Sequence, residues 1–558
     1  MNDGKKIICP LCSDSVDKLL YRFHIDDERT VLEKIKKQNP EWTEKDGLCS
    51  RCVDFYQTEI IREKRILPEI GPHFQVKSAD DFVILPTSLR LDAHPAYTGK
   101  GVTICFIDSG FYPHPDLVAS KNRIMKVVDI PNAREDSFLE RNLGESAWHG
   151  TMTTVVCAGD GYLSGGLYKG IASAAELVLI KVQDDAGKIS TEHIVKALEW
   201  VLENHRRYNI RIVNMSLGDD ELVSYKTSRV DQLAEKLVAE NIVVVAAVGN
   251  DENSGVHPPA NSLNVIAIGG IDDGNNLDSG IIKAYHSTYG STIDDLIKPE
   301  LLAHAIWIAA PILPGTREQM EASKLYASLQ LNDEELKTSC SKQTSSGEIS
   351  EQPATELRQN IIRRIQSGKY ISSHYMHVDG TSFAAPIVSS VIAQLLEIDP
   401  QLTVGAIRHI LFSTAKKIET ISSDRQGFGV IKPRKATLKV LQKGSMIKEH
   451  ASPFINAQKK TIEFFIDNSC AEEISLAGSF NHWAPGVLLL EPSQEGVWKI
   501  EIPMLPGGKY RYKFLIDGKH WMEDIDNPYR EPDGFSGFNS ILIVDHQNWK
   551  SASTHRHI

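Results

Sequence analysis

Four absences narrow the options for this chain of 558 residues before any motif is read. It has no run of about 18 apolar residues, so no membrane-spanning helix is expected. The longest candidate, residues 242–248, has the length of a strand. The opening MNDGKKIICPLC has neither an apolar core segment nor a small-residue cleavage site, so no signal peptide is expected. Cysteine is scarce for the length: 8 residues, four of them paired as CxxC near the N-terminus and Cys105, Cys157, Cys340 and Cys470 scattered. That usage excludes a disulfide scaffold and points to reducing cytoplasm. Positive charge is also short, with 61 Lys and Arg against 73 Asp and Glu and a net charge of -12. Nucleic acid and anionic membranes are therefore not the expected partners.

What is present is an ordinary globular composition, 41% apolar with 38 glycines, in a chain too long for one core. Residues 1–60 are short, charged and framed by the two cysteine pairs, and a proline-bearing connector fills 61–86. From 87 to 443 buried apolar runs (VTICFID, LVLIKV, IRIVNMSLG, IVVVAAVGN) alternate with amphipathic helical patterns (HIVKALEWVLENH and a helix near 230–240). That alternation predicts an α/β fold, a parallel sheet sandwiched by helices. The pattern lapses over about 315–374, read as an insertion: helix-like stretches at 316–330 and 354–366 flank a Ser, Gln and Glu-rich centre at 339–352. An excursion next to a catalytic segment reads either as a regulatory lid or as a disordered surface loop. A linker is expected at 444–460, then short alternating strands over 461–545 that read as a β-sandwich, then a tail at 546–558.

Three segments carry chemistry. Asp108 ends the buried strand VTICFID, His149 opens the run HGTMTTVVCAG, and Ser382 begins the amphipathic helix DGTSFAAPIVSSVIAQLL. Acyl transfer needs a hydroxyl nucleophile, a histidine to take its proton and a carboxylate to fix the imidazole tautomer. A serine at a helix N-terminus has an unpaired N–H beside it for an oxyanion, and Asn250 in AAVGN is placed to supply a second donor. DSGFYPHPDL, HGT, VNMSLG, AAVGN, HPPANSLNVIAIGG and GTSFAAP together resemble the motifs of the subtilase family, in family order. The resemblance implies a subtilisin-like serine endopeptidase acting on polypeptides, with Asp108, His149 and Ser382 as triad and Asn250 in the oxyanion hole. It implies that substrate lies as a β-strand along Ser216, Leu217 and Gly218. Asp219 departs from the family's frequent second glycine there, and no inhibitor-type propeptide is legible. Calcium is common among subtilases, but DGYLSGGLYKG after His149 supplies no legible ligand set.

The pairs Cys9, Cys12 and Cys49, Cys52 form two CxxC knuckles, enough for a closed structural Zn²⁺ site. Redox pairs or ordinary buried cysteines are the alternatives, and the βαβ context that a redox pair wants is missing. A module this small has little core, so metal binding would supply much of its folding free energy.

The C-terminal segment is dense in aromatics, whose rings stack on the apolar faces of sugars. GSFNHW, YKFLIDG and FNS resemble the family-48 carbohydrate-binding modules, including the glycogen-binding module of the AMP-activated protein kinase β subunit. By that resemblance Trp483 and Trp521 stack on an α-glucan such as glycogen, and Lys513 and Asn539 bond its hydroxyls. Phe535 and Gly537 stand where the kinase module has leucine and threonine. Trp498 reads as core, and a purely structural sandwich remains the alternative. For the whole chain, the rival to a protease is a catalytically silent glycan-binding adaptor built on the protease scaffold.

Overall fold

The structure is a computed structural model. It describes residues 84–136, 147–219, 221–275, 282–341, 353–443, 452–456, 459–468, 471–492, 497–527, 529–535 and 537–544, with short pieces (7–10, 15–16, 32, 35–37, 39–47) of the N-terminal region.

Six parallel strands form the central sheet, in the spatial order Ile124–Asp129, Glu176–Lys181, Thr103–Asp108, Ile210–Met215, Val243–Ala247 and Ile266–Asp272. Leu301–His304 runs parallel to the last of these, and short antiparallel strands finish both edges. Each central strand is a run of β-branched and aliphatic residues because helices cover both faces. Thr191–Tyr208 and Arg229–Ala239 cover one face, held by Ser190 and Ser228 as side-chain N-caps. Ala147–Ala158, Thr381–Ile398 and Val404–Thr414 cover the other. Strand order reverses beside Thr103–Asp108, so Asp108 stands at the carboxyl end of the strand next to the switch point, where α/β sheets open a crevice.

Thr381–Ile398 is the central helix of the α/β domain. It is long and apolar enough to cross a bilayer by composition, yet 83% of it is buried inside the protein. A helix apolar all round is what a central position between a sheet and other helices demands.

The excursion expected over 315–374 rests on a closed base, the antiparallel pair Ile308–Pro311 and Tyr375–Val378. It holds Arg317–Leu329 and Ala354–Ser367, and a further helix, Asp333–Ser341, that the polar composition had hidden. Asn332 starts that helix: its Oδ1 accepts from the N–H groups of Glu334 (3.1 Å) and Glu335 (3.0 Å), while Glu335 bonds back to the Asn332 N–H at 3.1 Å. Ile312, Ala322, Tyr326, Ile365 and Tyr370 form the small core of the excursion. Of the polar centre expected at 339–352, residues 339–341 belong to the helix Asp333–Ser341 and 342–352 lie outside the described residues.

The C-terminal part is two antiparallel sheets packed face to face over Ile462, Phe464, Leu476, Trp498, Tyr512 and Phe514. Trp498 is core, its indole N–H donating to the Asn468 carbonyl at 2.8 Å. Phe454–Asn456, within the expected linker, adds a strand to the first sheet. Ser452 ties that strand down, bonding Asp524 at 2.6 Å and the Phe465 N–H at 3.1 Å.

The sandwich is docked on the α/β domain. Phe412 and Phe428 stack at 4.4 Å, and Arg530 from the sandwich lies over both Phe428 and Phe538. Beside this stack His409 bonds Asp526 at 2.8 Å, and Lys439 reaches Asp467 at 3.3 Å and His409 Nε2 at 3.1 Å.

Candidate active site and sugar-facing surface

The helix Ala147–Ala158 brings His149 to Asp108. His149 Nδ1 and Asp108 Oδ1 are 2.7 Å apart. The other carboxylate oxygen, Oδ2, accepts from Thr153 Oγ1 at 3.1 Å, and Oδ1 also accepts from the Ser109 N–H at 2.7 Å. Thr153 is one turn beyond His149 on the same helix face, so one helix clamps both oxygens. Gly150 permits this approach, because a Cβ there would stand 2.3 Å from the Gly110 carbonyl oxygen. Burial favours neutral His149, but the charge and hydrogen bond of Asp108 outweigh it and raise its pKa above the ordinary 6.5.

Ser382 is the second residue of Thr381–Ile398, preceded by Gly380 at φ 137, a conformation that side-chain-bearing residues rarely adopt. Its hydroxyl donates to the Ser216 carbonyl at 3.3 Å. Pro386, four residues on, has no N–H to offer the Ser382 carbonyl, and the Ser216 hydroxyl fills that vacancy at 2.7 Å. Asn214 supports Ser216 (Nδ2 to Oγ, 3.1 Å) and is itself held by Ser389 at 2.9 Å. The end of the strand Ile210–Met215 is thereby tied to the Ser382 helix. Gly218 lies exposed beyond it, and Asp219 bonds Thr191 at 2.8 Å through its side chain.

Asn250 is fixed by two donors on one oxygen, the N–H of Thr381 at 2.8 Å and its hydroxyl at 2.9 Å. The amide nitrogen falls on the Gly380 side, 3.5 Å from where a Cβ on that glycine would sit. Asn250 Nδ2 and the Ser382 N–H are thus brought to the same helix terminus. Thr153, Asn214, Thr381 and Ser389 were not singled out from the sequence. All four lie inside or beside the quoted motifs, and that adjacency was the available signal.

On the sandwich, strand register places Lys513, Trp521 and Asn539 on the outward face of one sheet, opposite to Tyr512 and Phe514, which face the core. The Trp483 and Trp521 rings meet edge to face with centroids 6.0 Å apart. Trp521 is 47% exposed and Phe535 90%. Lys513 is paired with Asp533, whose other oxygen accepts from the N–H groups of Phe535 (2.7 Å) and Gly537 (3.0 Å). Near the N-terminus Cys9 is buried next to a two-stranded ribbon, Ile7–Ile8 with Ser15–Val16. Cys12, Cys49 and Cys52 lie outside the described residues.

A family model described as the subtilase family matches residues 99–429. A second, described as the glycogen recognition site of AMP-activated protein kinase, matches residues 464–549. Serine protease AprX of Bacillus subtilis (strain 168) is 27% identical over 343 residues, 60% of this chain and 65% of its own length. Subtilisin Savinase of Lederbergia lenta is 30% identical over 197 residues, 35% of this chain and 63% of its own length. The chain thus spans a little under two thirds of these relatives. Fervidolysin from Fervidobacterium pennivorans, titled a keratinolytic enzyme related to subtilisin, superposes with TM-score 0.45 at 16% identity, covering 75% of this chain and 53% of that one. With more than half of its residues matched by the family model, the chain belongs to the subtilase family.

Proposed function

We propose that the chain is a serine endopeptidase that cleaves polypeptides through an acyl-enzyme and is targeted to α-glucan by its C-terminal sandwich. The carrying observation is the clamped pair of His149 and Asp108, together with Ser382 and Asn250 at one helix terminus. Ser382 Oγ attacks the scissile carbonyl while His149 Nε2 takes its proton and later passes it to the leaving amine. Asp108 fixes the tautomer and favours the imidazolium that forms. Asn250 Nδ2 and the Ser382 N–H receive the oxyanion, and water then hydrolyses the acyl-enzyme. Substrate backbone runs along Ser216, Leu217 and Gly218.

The sugar-binding half of the proposal rests on Trp483, Trp521 and Asn539 sharing one exposed face and on the family model matched there. The commitment of Lys513 to Asp533 makes that ion pair, rather than a lone ammonium, the polar partner for hydroxyls. At the N-terminus, Cys9, Cys12, Cys49 and Cys52 are proposed to hold a structural zinc. A reducing cytoplasm is proposed for the chain from the scarcity and scatter of its cysteines.

A fluorophosphonate serine-hydrolase probe tests the protease reading. Labelling of the parent and none of Ser382→Ala is expected. Equal labelling of both, or of neither, sinks it and favours the adaptor.

A further inference from the structure

A cavity of about 580 Å³ opens where the sandwich meets the α/β domain. The α/β domain contributes Lys226, a segment running from Gly290 to Ile297, and Asp424, and the sandwich contributes Lys509, Tyr529 to Pro532, Ile541 and Ile543. Lys226 is seven residues past Asp219 in the sequence. On the other side, Thr288 donates from its N–H to the Gly249 carbonyl (3.1 Å) and from its hydroxyl to the Asp251 carbonyl (2.7 Å), straddling Asn250. His286 Nδ1 is 2.8 Å from the Asn250 carbonyl itself. Gly290, two residues past Thr288, already lines the cavity, and two residues of chain span at most roughly 7 Å. Arg425 braces the same corner: it bonds Glu252 at 2.8 Å and lies over the Tyr289 ring, while its neighbour Asp424 lines the cavity. The cavity and the turn at Asn250 are thus joined by the short chain segment from Thr288 to Gly290.

The lining has a definite chemistry. Lys226 pairs with Asp294 at 3.5 Å on the α/β side and Lys509 with Glu531 at 3.0 Å on the sandwich side, and Asp295 and Asp424 add two further acidic groups to the lining. Two large aliphatic side chains stand out of it unburied, one from each domain: Ile293 is 57% exposed and Ile543 49%. Ile543 occupies the one outward position in the buried end of Phe538–Val544, opposite Lys509 in register. A sheet position that places isoleucine where the alternation calls for a polar residue invites an apolar partner.

We propose that this inter-domain cleft is an exosite for the polypeptide substrate. It takes an apolar side chain, several residues from the scissile bond, between Ile293 and Ile543. The inference rests on the protease reading and extends it, since it makes the sandwich a contributor to peptide recognition as well as to glucan binding. An unfolded protein, with apolar side chains and free reach on both sides of the bond, is the substrate this surface fits; a three-residue peptide engages the active site and not the cleft.

The test compares the full-length parent with Ile543→Asp and Ile293→Asp, using denatured casein and a short chromogenic peptide, with thermal melts to confirm folding. KM for casein is expected to rise about tenfold in either variant, with kcat and all short-peptide kinetics unchanged. Unchanged casein kinetics, or equal losses on both substrates in variants that melt as the parent does, overturn the exosite and leave the protease standing. If the parent cleaves neither substrate, the protease reading fails and the exosite with it.

Discussion

The guanidinium of Arg530 lies 4.2 Å above the ring of Phe428, its side chain 3% exposed, although the two residues belong to different domains. Phe538 flanks the cation at 4.7 Å, and Phe412 backs Phe428. A cation with two aromatic faces and a carboxylate, Glu523, only 3.8 Å away is held by packing and ring electrostatics more than by ion pairing. Phe428→Ala should therefore cost about 3–5 kcal/mol in chemical denaturation, and should split a single unfolding transition into two by releasing the sandwich. Arg530→Met, which keeps the aliphatic bulk, should cost less. A loss under about 1 kcal/mol for Phe428→Ala would show the dock to be incidental.

Asp108 sets the acid limb of the pH profile. The base must be neutral, so kcat/KM should fall as pH drops through the pKa of His149, which lies above the ordinary 6.5. Asp108→Asn removes the charge responsible for that elevation. The limb should move to lower pH while kcat falls by about four orders of magnitude, as short-peptide kinetics across pH would reveal.

Asn250→Ala should reduce kcat by about 10²–10³ with little change in KM. Thr381→Val keeps the Asn250 side chain but removes one of the two donors that orient it. Its effect should have the same kcat signature at smaller size. A change confined to KM would instead assign Asn250 to substrate binding.

Ser216→Ala leaves the Ser382 carbonyl without a donor, because Pro386 cannot supply one. A cost of roughly 1–3 kcal/mol in global stability is expected. Ser216→Thr, which retains the hydroxyl, should recover part of it.

Retention on glycogen should be lost in Trp521→Ala and in Trp483→Ala. Asp533→Ala should weaken it too, since that carboxylate pairs with Lys513 and fixes the loop bearing Phe535. Full retention by both tryptophan variants would assign the sandwich to packing alone. For the cysteine knuckles, elemental analysis of the purified chain should find about one zinc per molecule, lost in Cys9→Ser.

The parallel sheet, the excursion and the sandwich were legible because each rests on a strong periodic or compositional signal. The candidate residues Asp108, His149 and Ser382 were legible through the motifs that hold them, and of these the structure joins Asp108 and His149 directly. Asp333–Ser341 was missed because its stability comes from an Asn332 cap and acidic first-turn residues rather than from an apolar stripe. The inter-domain stack had no local signal at all: Phe412, Phe428, Arg530 and Phe538 read singly as ordinary residues, and only the docking of two domains makes them one unit.

The ribbon of Ile308–Pro311 against Tyr375–Val378 has one more implication. It brings the two ends of the three-helix excursion side by side, so closing a much shorter connection there would cost little chain entropy. The excursion is then a removable appendage on a self-sufficient stem, and the ribbon is a graft point. Sequences of other lengths can be carried there next to the helix Thr381–Ile398 without reopening the sheet beneath.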